Sequence, residues 1–290
     1  MRFFPAAVIL SWPTPNYVDP VTRGLGLVYI NSVLLAVAII ISILRLYTRL
    51  VLKRWFGADD AFLIIALIMD IGITSCIIIA NQSYGWDRHI YDIPFTKWET
   101  ATKLAFITKL LFVIAAGTTR LSLFALYYRL SHGISSRCYR WFLHSNAGFT
   151  VAFIVVFTIA SILDCVPVSN YWDILSDPDT CVNEGAAVIA AGSINSFSDF
   201  LCTITPIPLV ANLSLPLRQR VALVVLFSLG FVVTGAGIVR CYYSYKSLIA
   251  EYDVTWYSYP LWIAGSVEIH LGIICASVPP LRPLLAKIPF

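Results

Sequence analysis

Seven stretches of this chain are long, apolar and almost free of charge: residues 24–44, 61–80, 104–128, 141–163, 185–209, 221–243 and 254–278. About 20 apolar residues in a helix cross the hydrocarbon core of a bilayer. In that medium each segment must bond its own backbone amides, and a continuously apolar segment does so as a helix, whereas barrel strands alternate in polarity. The expected fold class is therefore an all-α membrane protein, a seven-helix transmembrane bundle. Composition agrees, since 59% of the 290 residues are hydrophobic and 12% charged, against about a quarter charged in soluble domains. Residues 1–23 read as a short tail, 24–278 as the transmembrane domain and 279–290 as a second tail, with no repeat or linker between them.

An odd number of crossings puts the termini on opposite sides, and the distribution of Lys and Arg selects the orientation. With the N-terminus outside, the inner segments hold Arg45, Arg49, Lys53, Arg54, Arg129, Arg137, Arg140, Arg218, Arg220, Arg282 and Lys287. The outer segments hold Arg2, Arg23, Arg88, Lys97, Lys103 and Lys246. Eleven against six predicts a multi-pass protein of the plasma membrane or an endomembrane, N-terminus outside and C-terminus cytoplasmic. The modest excess of 20 Lys+Arg over 16 Asp+Glu suits loops facing anionic lipid and argues against a nucleic-acid partner. Residues 3–10 resemble a signal-peptide core, but Pro5 interrupts them and no small-x-small site precedes Pro13, so a short outer tail is expected.

Charged side chains at membrane depth are costly and ordinarily face a bundle interior or a wet cavity. At about 1.5 Å per residue, Asp70, Asp199 and Glu268 fall near mid-depth, Lys109 further out and Arg120 further in. Together with Asn195, which shares a helical face with Asp199 four residues on, they are the candidate polar core and ligand-binding residues. The expectation is one internal network, serving as a ligand or proton-transfer site or as an ion-pair lattice that sets helix register. His270 reads as a locally bonded core residue, and Arg240 as an interfacial anchor that snorkels its charge outward. Asp59 and Asp60 open the second span, where acids suit a helix N-terminus and can pair with Arg45 or Arg49.

Cys165 and Cys181 share one outer loop, where a disulfide persists. Cys76, Cys202, Cys241 and Cys275 read as small apolar packing residues, and Cys138 as a free thiol or a palmitoylation site. Asn81 begins an outer glycosylation sequon close to the membrane, and Asn212 an inner one that the orientation leaves unused. Trp86, Trp98, Trp172, Trp256, Tyr257 and Trp262 read as an interfacial belt. There is no phosphate loop, HExxH or paired CxxC, and His89, His132, His144 and His270 are scattered. No metal and no cofactor are expected.

Several ordered motifs add a resemblance. Arg45-Leu-Tyr-Thr-Arg49 with Gly57-Ala-Asp59-Asp60, Gly85-Trp-Asp-Arg-His89, Arg120-Leu-Ser122 with Tyr128-Arg129, and Cys165-Val-Pro167 with Tyr171-Trp172 and Cys181 come first. Asn195 with Asp199, Pro206-Ile-Pro208, Leu226 to Gly230, Ile238-Val-Arg240, Glu268 with Gly272 to Cys275, and Pro279 to Pro283 follow. In this order the chain resembles the fungal rhodopsin-like integral membrane domain family, which includes Pth-type GPCR-like receptors and the satratoxin-cluster membrane proteins. The resemblance implies a receptor-like seven-helix protein with a small lipophilic ligand and a cytoplasmic signalling partner, in some relatives tied to a secondary-metabolite cluster. The segments 49–56, 129–140 and 213–220 would face that partner. Two features depart from many receptor-like relatives: no cysteine precedes Cys76, and few residues follow the last span. Retinal is not expected, since a Schiff base needs a lysine on the last helix and 254–278 has none, leaving Lys109 as the deep alternative. The alternatives are an intramembrane acid–base enzyme of secondary metabolism, a cyclase or isomerase with Asp199 and Glu268 as candidate catalytic acids, or a transporter.

Overall fold

The computed structural model describes residues 6–131, 137–173, 180–208 and 217–281. His132, the Asn212 sequon, much of the segments 129–140 and 213–220, and the tail from 282 onward lie outside them. Among the described residues, seven helices are long and apolar enough to span a membrane: α1 (Gly26–Tyr47), α2 (Ala58–Tyr84), α3 (Phe95–Leu130), α4 (Arg137–Ile162), α5 (Glu184–Ile204), α6 (Leu217–Tyr245) and α7 (Val254–Ser277). A short helix, Ala6–Ser11, precedes them, and π-helical turns at Thr48–Leu52 and Lys246–Ala250 extend α1 and α6. We refer to the end of the bundle where the chain enters α1 as the N-side and the opposite end as the C-side.

α3 begins at Phe95, well before residue 104, where its uncharged stretch starts. Its extra N-side turns carry Lys97, Glu99 and Lys103; Lys103 Nζ lies 2.6 Å from Glu99 Oε1 one turn back, an i,i+4 pair that supports helix in a polar setting. α3 and α7 form the centre: 61% and 72% of their apolar windows are buried, against 17% for α4. Lipid tails are as apolar as leucine, so spanning helices associate through close packing and interhelical hydrogen bonds. Gly237 on α6 shows the first, since a Cβ there would lie 2.6 Å from Ser196 Oγ on α5 and 3.2 Å from Glu268 Oε2 on α7.

Both ends of the bundle are tied by polar contacts. On the C-side, Arg45 donates to Asp60 at 2.9 Å, to Asp59 at 2.8 Å and to the Ala276 carbonyl at 2.7 Å. Arg49 donates to Asp59 at 2.6 Å, and Ser122 Oγ to the Asp59 carbonyl at 2.6 Å. These bonds join α1, α2, α3 and α7 through four buried charges. On the N-side, Asp253 accepts from Trp256 N at the start of α7, from Ile90 N and from His89 Nδ1. The Arg23 guanidinium lies 4.0 Å over Trp256. A Cys165–Cys181 disulfide closes the α4–α5 connection, and Tyr171 and Phe106 pack in the same cluster as Cys165.

Candidate functional site

The expected single polar network is three separate groups. The largest crosses the bundle as a layer. On α7, Glu268 Oε2 accepts from Arg240 Nε of α6 at 2.8 Å, and Oε1 accepts from Asn195 Nδ2 of α5 at 2.6 Å. Asn195 Nδ2 also donates to Asp199 at 3.1 Å. From α3, Arg120 donates to Asn195 Oδ1 at 3.0 Å, to the Asn195 carbonyl at 3.0 Å and to Asp199 Oδ1 at 3.3 Å. Two arginines and two carboxylates thus meet across Asn195, and all five residues are buried.

Arg240 is the first correction. In place of an interfacial anchor it is a buried counterion, 8% exposed and paired with Glu268. Its reach follows from close packing: Gly192 and Gly265 line its side chain with no Cβ of their own, and it lies 4.6 Å over the Phe112 ring.

Lys109 is the second. It does not reach Asp199 or Glu268; its Nζ donates to Asp164 Oδ2 at 2.5 Å and to Glu184 Oε1 at 3.0 Å. Tyr171 donates to the same Glu184 oxygen at 2.5 Å, and its ring lies 4.7 Å from the Lys109 ammonium. Burial, with the Glu184 and Asp164 charges beside it, holds the Tyr171 phenol well above its ordinary pKa. Asp164, Tyr171 and Glu184 lie outside the mid-span positions to which the cost of buried charge points. The available signal was that two acids flank the loop between the paired cysteines, at the depth of Lys109.

Asp70 belongs to a third group on α2 and α7. His270 Nε2 lies 3.5 Å from Asp70 Oδ2 and from Thr74 Oγ1, and His270 Nδ1 lies 2.5 Å from the Ser266 carbonyl. Neither Asp70 oxygen has a hydrogen-bond partner among the described residues. Asn81, whose sequon lies close to the membrane, is fully buried in the last turns of α2; a sequon held inside a helix bundle is not presented to a transferase. The aromatic belt also differs. Trp86, Trp98 and Trp262 are buried, Trp86 stacking on Trp262 at 5.1 Å and on Trp98 at 6.2 Å between ring centres, because the loop after α2 folds inward over the bundle.

Between the N-side loops and the polar layer lies a cavity of about 240 Å³. Its walls are mostly apolar and aromatic, with Trp98, Phe112, Phe153 and Trp262 among them. The Lys109–Asp164–Glu184–Tyr171 group borders it, and Asn195 and Arg240 contribute to its lining. A smaller space of about 50 Å³ is lined by Arg120, Asp199, Glu268, Tyr127 and Cys202. The polar layer thus separates two cavities, and each borders a different set of its charges. Ligand sites are typically of this kind, apolar pockets with a few convergent polar groups.

Architecture and site together define a polytopic seven-helix membrane protein with an interior cavity above a charged layer. The chain belongs to the fungal rhodopsin family, whose domain matches residues 44–287. It is 27% identical over 253 residues to the wortmanamides biosynthesis cluster protein C of Talaromyces wortmannii, covering 83% of this chain and 65% of that protein. It is 25% identical to a SAT4 family membrane protein of Emericella nidulans, covering 71% of this chain and 51% of that one. It is 24% identical to the receptor GIN3 of Arthrobotrys oligospora, covering 67% and 46%. The chain therefore spans about half to two thirds of the lengths of these curated relatives. No solved structure matches it.

Proposed function

We propose that this chain is a receptor-like membrane protein, N-terminus outside and C-terminus cytoplasmic, that binds a small lipophilic molecule in the larger cavity. The observation that carries the reading is that cavity itself: it is apolar, and its polar lining includes Asn195 and Arg240, members of a layer joining α3, α5, α6 and α7. A ligand shifts an equilibrium between helix arrangements by binding one of them better, and a molecule resting on Asn195 and Arg240 touches four helices through their shared hydrogen bonds. The excess of Lys and Arg in the segments that would be cytoplasmic supports the orientation. The names of a relative called a receptor and another called a biosynthesis cluster protein support a receptor-like role and a secondary-metabolite ligand.

The acid–base enzyme reading has less support. Asp199 and Glu268 are each engaged by an arginine, and both border the smaller space instead of the larger cavity. A general acid must reach the atom it protonates.

To test the proposal, purified protein in nanodiscs is exposed to a lipophilic fungal metabolite extract and washed, and retained compounds are identified by mass spectrometry. Wild type should retain a compound that an Ala191→Phe variant, which fills the cavity, does not, and that compound should alter G-protein nucleotide exchange. Equal retention by both proteins, or conversion of the compound to a product, would overturn the reading.

A further inference from the structure

The C-side end of the bundle carries positive charge that no acid meets. Segments 44–60, 125–141, 204–222 and 276–290 contain no Asp or Glu besides Asp59 and Asp60. Those two are buried and taken up by Arg45 and Arg49. Lys53, Arg54, Arg129, Arg137 and Arg140 are all exposed, and among the described residues none forms an ion pair; the first three are the ones near Trp55.

Trp55 brings two guanidinium groups of this face together. The Arg129 guanidinium lies 4.2 Å from its ring centre and that of Arg49 5.2 Å. Two features of the chain position the indole. Arg54 takes a left-handed backbone conformation, φ 47°, and Gly57 leaves room for the ring, since a Cβ there would fall 2.1 Å from Trp55 Cη2. Partial burial and the charges of Arg49 and Arg129 hold the Lys53 amine below its ordinary pKa, a repulsion that a bound anion relieves. Arg49, 1% exposed, keeps Nη1 without a hydrogen-bond partner among the described residues. Beside the cluster, Leu50, Val51 and Phe56 are exposed at the end of the span, the level at which a bilayer places its headgroups.

We propose that Lys53 and Arg54, which precede Trp55 in the chain, and Arg129, which lies over its ring, bind the phosphomonoester headgroup of an anionic lipid. Phosphate chemistry follows from the donors, which are guanidinium and ammonium groups suited to phosphate oxygens. A phosphomonoester follows from the charge, because three cations without acids suit a dianion better than the single net charge of phosphatidylserine. A lipid source, in place of free phosphate, follows from the apolar and aromatic side chains alongside, which take up acyl chains. The proposal is independent of what occupies the interior cavity.

The test uses the full chain in phosphatidylcholine nanodiscs doped equally with phosphatidic acid and phosphatidylserine, with native mass spectrometry of the lipid that stays bound. The second negative charge of the phosphomonoester, set against these cations, contributes on the order of 1 kcal/mol, so retention of phosphatidic acid should exceed that of phosphatidylserine about fivefold. The Lys53→Ala/Arg129→Ala variant should lose that preference while its thermal unfolding in detergent stays unchanged. Lys53→Gln alone, a milder change, should lower it about threefold. Equal retention of the two lipids, an undiminished preference in the Lys53→Gln protein, or displacement of phosphatidic acid by millimolar inorganic phosphate would overturn the proposal.

Discussion

Glu99 with Lys103 and Glu268 with Arg240 are both acid–base pairs at 2.6 to 2.8 Å, yet their surroundings set opposite consequences. The first is 60% and 42% exposed, and an exposed pair of this kind contributes about 0 to 1 kcal/mol. Lys103→Ala should therefore leave thermal unfolding in detergent nearly unchanged. The second pair is buried, so removing one partner strands the other charge at a cost of about 3 to 5 kcal/mol. Arg240→Ala should lower the unfolding temperature sharply, while Arg240→Met with Glu268→Leu should recover most of the loss. An outcome in which the double variant is no better than the single one would contradict this account. Tyr171 makes a pH-dependent prediction. Its raised pKa means that the folded chain holds the phenolic proton longer than the unfolded chain does. The resulting stability is complete below about pH 10 and is lost as pH rises beyond that. Wild type should thus lose stability above pH 10 more steeply than Tyr171→Phe, read from unfolding temperature against pH.

At the scale of the helix, hydropathy located all seven spans because crossing hydrocarbon imposes one requirement on every residue of a segment. Helix ends answered to other forces. α3 runs on to Phe95 through turns too polar to read as membrane, and π-helical turns prolong α1 and α6 where the chain leaves the apolar zone. α7 keeps Pro260 within its N-side half, where the missing amide and the ring favour a bend. The α4–α5 connection depends on its disulfide, with 16 residues of sequence separation. A bridge of this size constrains the unfolded chain by roughly 3 kcal/mol in the loop-entropy picture. Cys165→Ser with Cys181→Ser should lower the unfolding temperature and remove its sensitivity to reductant. If wild type unfolds at the same temperature with and without reductant, the bridge contributes no measurable stability.

For the whole molecule, orientation has a direct test. Among the free cysteines only Cys138, at the start of α4 on the C-side, is exposed. In sealed vesicles of known sidedness, a membrane-impermeant maleimide should label it only from the cytoplasmic face; labelling from the outer face would reverse the proposed topology. Class, span number and loop charge asymmetry were legible because they depend on composition and on spacing along one dimension. Cys165 and Cys181 could be paired on the same grounds, since they share one short loop. Which of Asp70, Lys109, Arg120, Asp199 and Glu268 meet was not legible, and neither was the partner of Arg240. Their depths are nearly sufficient to put all of them in one cluster, but contact also depends on the rotation of each helix about its axis and on which helices are neighbours. Those quantities follow from how small residues such as Gly192 and Gly237 let backbones approach, an outcome of mutual packing that no single segment encodes. The sequence alone settled that this chain must live in a bilayer as helices; only tertiary packing divided its mid-span charges into three groups and left a cavity between two of them.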